Sequence, residues 1–479
     1  MPPGAKTSRD LLVVLDGRRH VTRQIYRQIR DAILGGRILA GEPLPSSREL
    51  AGRLGVSRNA VVVVYERLRA EGFLEATIGA GTFVSDDVRP RAPDPTIESP
   101  LRPRALWDGV SGAPDMSAVH PDFDFRPGVP DAARFPWAPW RARVSRQLRR
   151  GAVGAGAHIG AAGHPDLRAA IARHVGISRG VRAAPEDVFV TSGSQQAIDL
   201  VARVLLEPGD LVALEDPGYP PARRAFQAHG CRVAGAQVDD EGLVPDAIPA
   251  GARLVYVTPS HQYPLGMTMS MSRRQALLDW AQRTEAAILE DDYDSEFRYG
   301  GRPLEPLRSL DATGRVLFVG SFSKVLLPTL RLGFAVVPEP LHAAFAKAKA
   351  ATDWHTSVPI QAAVAQLIDD GLLAQHVRRM RRVYAERHDR ITGLLVRDFA
   401  GHLTMVPAAG GLHLSAFLHG RPASADVAIT ERVRALGVAL TPLSYHFVTT
   451  EPRAGLLIGY GAIASDRIEE GLARVRACL

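Results

Sequence analysis

Only two cysteines, Cys231 and Cys478, occur in 479 residues. That is too few for a disulfide framework, and they lack the paired spacing of a metal knuckle, so no metal is expected. Long apolar runs are also missing: nothing approaches the roughly 18 residues needed to span a bilayer. The one apolar stretch near the amino terminus, residues 11–15, is short and flanked by Asp10 and Asp16, unlike a signal peptide. A soluble, cytoplasmic protein without membrane contact is the expectation. What remains is ordinary globular material, 46% hydrophobic and 23% charged, which excludes a wholly disordered or collagen-like chain.

Charge is spread unevenly. Residues 1–85 carry thirteen Lys and Arg against eight Asp and Glu, a surplus of five in a chain whose surplus is seven. Such a basic module suits a polyanion, because neutralising phosphates releases counterions, although a merely basic surface would look the same. Six prolines, at 90, 93, 95, 100, 103 and 114, mark residues 86–121 as a semi-rigid linker. The expected division is therefore 1–85, linker 86–121, and 122–479. Beyond the linker, short β-branched runs at 188–190, 211–214, 254–257, 287–289 and 316–319 alternate with helical patterns at 194–206 and 272–283. That alternation predicts an α/β unit with a mostly parallel sheet. The Gly/Ala-rich tract 151–163 reads as a mobile loop.

Within the basic module, residues 47–66 read SRELAGRLGVSRNAVVVVYE. Ala51 is small where two helices cross, Gly55 permits the turn, Ser57 caps the second helix and Val61 anchors it. Arg58 and Asn59 then stand on the first turn, where a helix-turn-helix reads the major groove. Two strand-like runs around Gly79-Ala80-Gly81 add a wing, giving an α+β winged helix-turn-helix; the competing structure is a helical hairpin packed on another domain. Leu44-Pro45-Ser46-Ser47-Arg48, Leu54-Gly55-Val56-Ser57-Arg58 and Gly81-Thr82-Phe83-Val84 resemble the GntR family of bacterial transcription regulators. The resemblance implies DNA contacts by Arg48, Ser57, Arg58, Asn59 and Gly81 on double-stranded operator DNA.

In the large unit, candidate residues cluster after predicted strands. Pyridoxal 5'-phosphate (PLP) needs a lysine amine for its Schiff base, an acid facing the pyridine nitrogen, and phosphate donors. Lys324 in Ser321-Phe322-Ser323-Lys324, Asp291 in Glu290-Asp291-Asp292-Tyr293, and Arg331 with Ser321 and Ser323 supply all three. Tyr293 is a donor toward the ring's phenolic oxygen, and Tyr219 is placed to stack on the ring. Ser194 and Gln195 open a helix whose amino terminus favours an anion. His261, in Thr258-Pro259-Ser260-His261-Gln262-Tyr263-Pro264, lines the same pocket or is simply core. Taken alone, each segment could also be a solvated loop or a surface pair.

Together these segments are similar to fold type I PLP-dependent aminotransferases over about residues 122–479. They most resemble the MocR-type branch of the GntR regulators, in which a winged helix is fused to an aminotransferase-like domain. That resemblance implies a homodimer, genes of vitamin B6 or amino-acid metabolism as targets, and a sensor for PLP or an amino-acid or amine effector. It also implies that Arg453 holds an effector carboxylate, and Pro220-Pro221 after Tyr219 speaks against an ω-amino acid. Two alternatives stay open: an active aminotransferase with an accessory DNA-binding head, or a dimeric protein that only holds the cofactor.

Overall fold

A computed structural model describes residues 13–17, 19–77, 81–88, 101–112, 121–149, 158–299, 305–408 and 410–479. The chain forms two compact units, divided between Pro103 and Arg104. The expected linker therefore contributes to both. Val88 packs on the core of the first unit, and Ala105–Gly109 makes a short helical turn against the helix Pro220–Ala228 of the second.

In the first unit, α1 (Val21–Leu34), α2 (Ser47–Leu54) and α3 (Arg58–Ala70) pack around Ile25, Ile29, Leu50, Val61 and Leu68. The 3.6-residue spacing of these apolar positions puts them on the inward helix faces. Ser46 caps α2 by accepting from the Glu49 amide, and Ser57 caps α3 by accepting from the Ala60 amide at 3.3 Å. Between the two helices Gly55 has φ +63°, a left-handed turn that other residues resist. β1 (Pro43–Leu44), β2 (Leu74–Thr77) and β3 (Gly81–Val84) form an antiparallel sheet in the order β1-β3-β2. The hairpin β2–β3 is the expected wing; Gly79 and Ala80 of its tip lie outside the described residues.

In the second unit the short β4 (Phe123–Asp124) precedes a main sheet of eight strands. These are β5 (Val188–Thr191), β6 (Leu211–Asp216), β7 (Arg232–Asp239), β8 (Gly242–Leu243), β9 (Ala252–Val257), β10 (Ala287–Asp292), β11 (Val316–Ser321) and β12 (Gly333–Val336). Their order is β5-β12-β11-β10-β9-β6-β7-β8, with β11, β10, β9, β6 and β7 mutually parallel and β12 antiparallel to both neighbours. Helices Ser194–Leu205, Pro220–Ala228 and His342–Asp353 cover one face, and Met271–Thr284 covers the other. Burial on both faces is why these strands read as unbroken apolar runs rather than alternating ones.

A smaller antiparallel sheet follows, ordered β13-β14-β17-β16, from β13 (Leu403–Met405), β14 (His413–Leu418), β16 (Thr441–Pro442) and β17 (Gly455–Gly459), while β15 (Val438–Ala439) pairs with β4. Leu414, Ala416, Leu456 and Ile458 point into the largest core with the long helix Leu372–Phe399. Asp216, at the end of β6, accepts from the amides of Val448, Thr449 and Thr450 at 2.7–2.8 Å and so fastens the smaller sheet's loop to the larger sheet. Of the tract expected to be mobile, residues 150–157 lie outside the described residues. Its end is tightly packed instead: a Cβ on Gly163 would stand 2.7 Å from Val190 and Gln361.

Removing buried methyl groups from the first unit tests its packing. Ile29→Ala, at a fully buried position, is expected to cost about 2–5 kcal/mol of that unit's stability. A denaturation midpoint equal to that of the parent protein would contradict this core.

Candidate cofactor site and nucleic-acid interface

Parallel strands all end at one edge, and open α/β sheets bind ligands there. β5 leads into Ser192-Gly193-Ser194, β6 into Pro217-Gly218-Tyr219, β9 into Thr258, β10 into Tyr293 and β11 into Ser323-Lys324. Lys324 Nζ donates to the carbonyl of Gly128 at 2.8 Å. Gly128 has φ +69°, and a Cβ there would lie 2.2 Å from Nζ. Its segment can lie so close only because β17 ends in glycine: a Cβ on Gly459 or Gly461 would stand 2.1 Å from the carbonyl oxygens of Arg126 and Val129. Burial pulls the Lys324 amine below its usual range, against the opposing pull of Asp294 and Asp291. Its free amine form, the nucleophile, is thereby favoured.

Asp291 is 3% exposed. Its Oδ2 accepts from the Tyr256 hydroxyl at 2.8 Å, whereas Oδ1 is buried with no partner. Burial pushes this carboxyl up to about 7. An unsatisfied buried acceptor of this kind is costly unless a donor arrives. Tyr219 stacks beside Tyr256, with rings 6.4 Å apart and 17° between planes. Tyr293 is 2.9 Å from His261 Nδ1, which also lies 3.0 Å from Asp294 Oδ1. His261 is thus buried beside the cleft and holds Tyr293 in place. His413 packs 5.0 Å from the His261 ring, and His261, Asp294 and His413 bring ligand-capable atoms within 4.8 Å of one another.

A candidate anion cradle lies at the ends of β5 and β11. Gly193 has φ +80° and precedes the helix Ser194–Leu205, leaving that helix's first amides facing outward. The Arg331 guanidinium lies over Gly193 and donates to the Ser192 carbonyl at 3.0 Å. Ser194 stands on the first turn, while Gln195 turns its amide to the Pro221 carbonyl at 3.1 Å. Ser321 Oγ accepts from the Ser323 amide, which closes the turn before Lys324.

Arg453 is not brought to this cleft. It is exposed, and its guanidinium lies 3.8 Å over the Phe417 ring, four residues along β14 from His413, or about 14 Å at strand rise. A cation seven residues before Tyr460 reads as part of the motif, but the strand begins after it, at Gly455. Sequence reasoning also passed over Gly128, Tyr256 and His413. Tyr256 sits within an apolar run, and His413 belongs to a sheet that was not foreseen.

In the first unit, Arg48, Ser57, Arg58, Asn59 and Gly81 are all exposed. Arg58 and Asn59 project from the first turn of α3, with Arg58 Nε 3.4 Å from Ser47 Oγ on α2. Gly81 opens β3 with φ +118°. A groove lined by Arg23, Arg27, Arg30 and Arg67 on α1 and α3 adds positive charge that the sequence reading had counted but not located.

Burial also raises Glu215 and Glu290 to about 7. With Asp291, these acids have folded-state values above their unfolded ones, so their contribution to stability is complete near pH 4 and is lost as pH rises through 7. The second unit, free of added ligand, should accordingly melt lower at pH 8 than at pH 5. Asp291→Asn should recover on the order of 2 kcal/mol at pH 8. An unchanged pH slope in that variant would contradict ionisation of Asp291 in this window.

Family models place the same two parts on the chain: bacterial regulatory proteins of the gntR family match residues 21–84, and aminotransferase class I and II matches residues 146–457. The chain is 38% identical to "Probable rhizopine catabolism regulatory protein MocR" of Rhizobium meliloti, over 95% of this chain and 93% of that protein. It is 34% identical to the "HTH-type pyridoxine biosynthesis transcriptional regulator PdxR" of Corynebacterium glutamicum, over 95% of each. Among solved structures, the α-aminoadipate aminotransferase LysN of Thermus thermophilus, complexed with N-(5'-phosphopyridoxyl)-L-leucine, is 31% identical with a TM-score of 0.68, over 74% of this chain and 92% of that one. Among the described residues no helix is long and apolar enough to cross a membrane. With a winged helix at one end and an aminotransferase fold over most of its length, the chain belongs to the MocR-type branch of the GntR regulators.

Proposed function

We propose that this protein is a cytoplasmic transcription regulator that carries PLP on Lys324 and binds operator DNA through its winged helix. One observation carries the cofactor reading: the buried, unpartnered Asp291 Oδ1 at the strand edge that also presents Lys324 and the Gly193–Arg331 cradle. That donor and acceptor set fits the cofactor's three polar ends. Arg331, Ser194 and the helix amides would hold the phosphate, with Gln195, Ser321 and Ser323 shaping the cradle. Asp291 would keep a proton on the pyridine nitrogen, and Tyr256 holds that carboxylate in line. Tyr293 would donate toward the phenolic oxygen and Tyr219 would cover the ring. When bound, PLP supplies an aldehyde that condenses with primary amines and a ring that withdraws electrons. The chain's part is to orient it, to favour the free form of the Lys324 amine, and to hold the His261–Tyr293 contact.

Regulation follows from linkage: a ligand of the large unit changes DNA affinity only by favouring one of two arrangements of the protein. A homodimer would present two winged helices to paired half-sites. Genes for vitamin B6 or amino-acid metabolism are the targets this reading favours.

Lys324→Ala should abolish the visible absorbance that the parent protein gains with PLP, and retention of that absorbance would refute the attachment. Arg58→Ala should weaken operator binding roughly tenfold in a gel-shift titration, as one lost base or phosphate contact does, with the absorbance intact. Undiminished affinity would refute the placing of α3 in the groove.

A further inference from the structure

Two imidazoles and a carboxylate converge beside Tyr293. His261 follows β9, Asp294 follows β10 and His413 opens β14, so the three stand far apart in sequence and no spacing announces them. All are buried, and their ligand-capable atoms lie within 4.8 Å of one another. Gly411 makes the room between them. It has φ +84°, and a Cβ there would stand 2.6 Å from His261 Nδ1 and 2.7 Å from Asp294 Oδ2, so any side chain at this position would fill the space between two of the three groups.

Protons alone do not satisfy this cluster. His413 Nε2 lies 3.1 Å from the Pro264 carbonyl, so the neutral ring carries its proton there and Nδ1 keeps a lone pair. His261 Nδ1 faces both Asp294 oxygens, at 3.0 and 3.2 Å, and the Tyr293 hydroxyl at 2.9 Å, while its Nε2 is buried without a partner. A proton on Nδ1 alone leaves Nε2 an orphaned acceptor, and a proton on Nε2 alone sets the Nδ1 lone pair against a carboxylate. A cation on the Nδ1 side takes up the opposed lone pairs. A polar cavity of about 30 Å³ beside His261, bounded by Ser260, Thr268 and Ser295, then has room for a water that accepts from Nε2. Among the described residues the Asp294 side chain bonds to His261 alone. The cations nearby have other partners. Arg179 pairs with Asp292 at 2.6 Å, Arg274 donates to the Pro259 carbonyl at 2.8 Å, Arg298 to Thr268 Oγ1 at 3.2 Å, and Lys324 to the Gly128 carbonyl at 2.8 Å.

We propose that His261, Asp294 and His413 bind one divalent transition-metal ion, with zinc the favoured one and Tyr293 or a water in the fourth position. Two imidazoles and one carboxylate suit zinc with an open position, and bonds of about 2.0–2.2 Å put its ligands about 3.3–3.6 Å apart. His261 Nδ1 and Asp294 Oδ1, at 3.0 Å, are already near that separation. The contact from His413 to the Pro264 carbonyl is the kind of hydrogen bond that orients a ligating imidazole. The site needs no cofactor. Because Tyr293 touches His261, the ion and the cofactor's phenolic oxygen would draw on one hydroxyl, so each ligand would alter the binding of the other.

Full-length protein is titrated with Zn²⁺ by calorimetry before PLP is added, because PLP itself chelates metal ions. Saturation at one ion per chain is expected. Asp294→Asn and His413→Gln should each weaken binding about a hundredfold or more, since disturbing even a ligand's supporting contacts costs up to about that much. His158→Ala, which breaks an exposed imidazole pair 3.3 Å apart with His355, should leave binding unchanged. Absence of stoichiometric binding overturns the inference, as does binding that survives Asp294→Asn but is lost in His158→Ala, the mark of an adventitious surface ion. Should both ligand variants misfold, Co²⁺ decides in the parent protein: intense visible absorbance at one equivalent marks the four-coordinate site, and a pale six-coordinate spectrum overturns it. A protein that binds Zn²⁺ in this way yet gains no visible absorbance with PLP loses the cofactor reading alone.

Discussion

The contact between Lys324 Nζ and the Gly128 carbonyl gathers the large unit around one point. For it to form, β11 must deliver the lysine at the strand edge, the segment before residue 130 must cross the end of β17, and β17 must end in glycines that leave room. Three stretches distant in sequence therefore have to be folded before the amine is placed. Burial acts on both groups: it lowers the amine, toward the free form of a nucleophile, and raises Asp291, so that the carboxylate would be restored by a protonated pyridine nitrogen set against its unpartnered oxygen.

The winged helix follows a different logic. Its core is small, and its stability rests on local devices: two serine caps, the left-handed turn at Gly55 between α2 and α3, and a three-stranded sheet. Those devices also aim its exposed residues. Because Ser57 fixes where α3 begins, it fixes which residues stand on the first turn, so the capping serine and the exposed Arg58 and Asn59 are one structural decision.

Most of this was legible in the sequence where chemistry and local structure coincide. Strands β5, β6, β9, β10 and β11 announce themselves as β-branched runs because both faces are buried, and Lys324, Asp291 and the Ser194 helix start follow directly from strand ends. The wing and the turn at Gly55 were legible for the same local reason. The antiparallel strands β14 and β17 were not. Their alternation is blurred because the outward face is itself buried, so His413 reads as part of an ordinary apolar run. Arg453 was misplaced by adjacency: it precedes the strand instead of lying on it, and a two-residue offset along a strand moves a side chain by about 7 Å. Gly128 escaped notice because its importance lies in a neighbour almost two hundred residues away.

Asp216 joins the two sheets of the large unit through three amides, those of Val448, Thr449 and Thr450. The same segment is tied to the large sheet at further points: the Gly218 amide donates to the His446 carbonyl at 2.8 Å, and Arg223 donates to the Phe447 carbonyl at 2.9 Å. His446 is thereby tethered to the end of β6, and pulling this segment away would leave the buried Asp216 side chain without its donors.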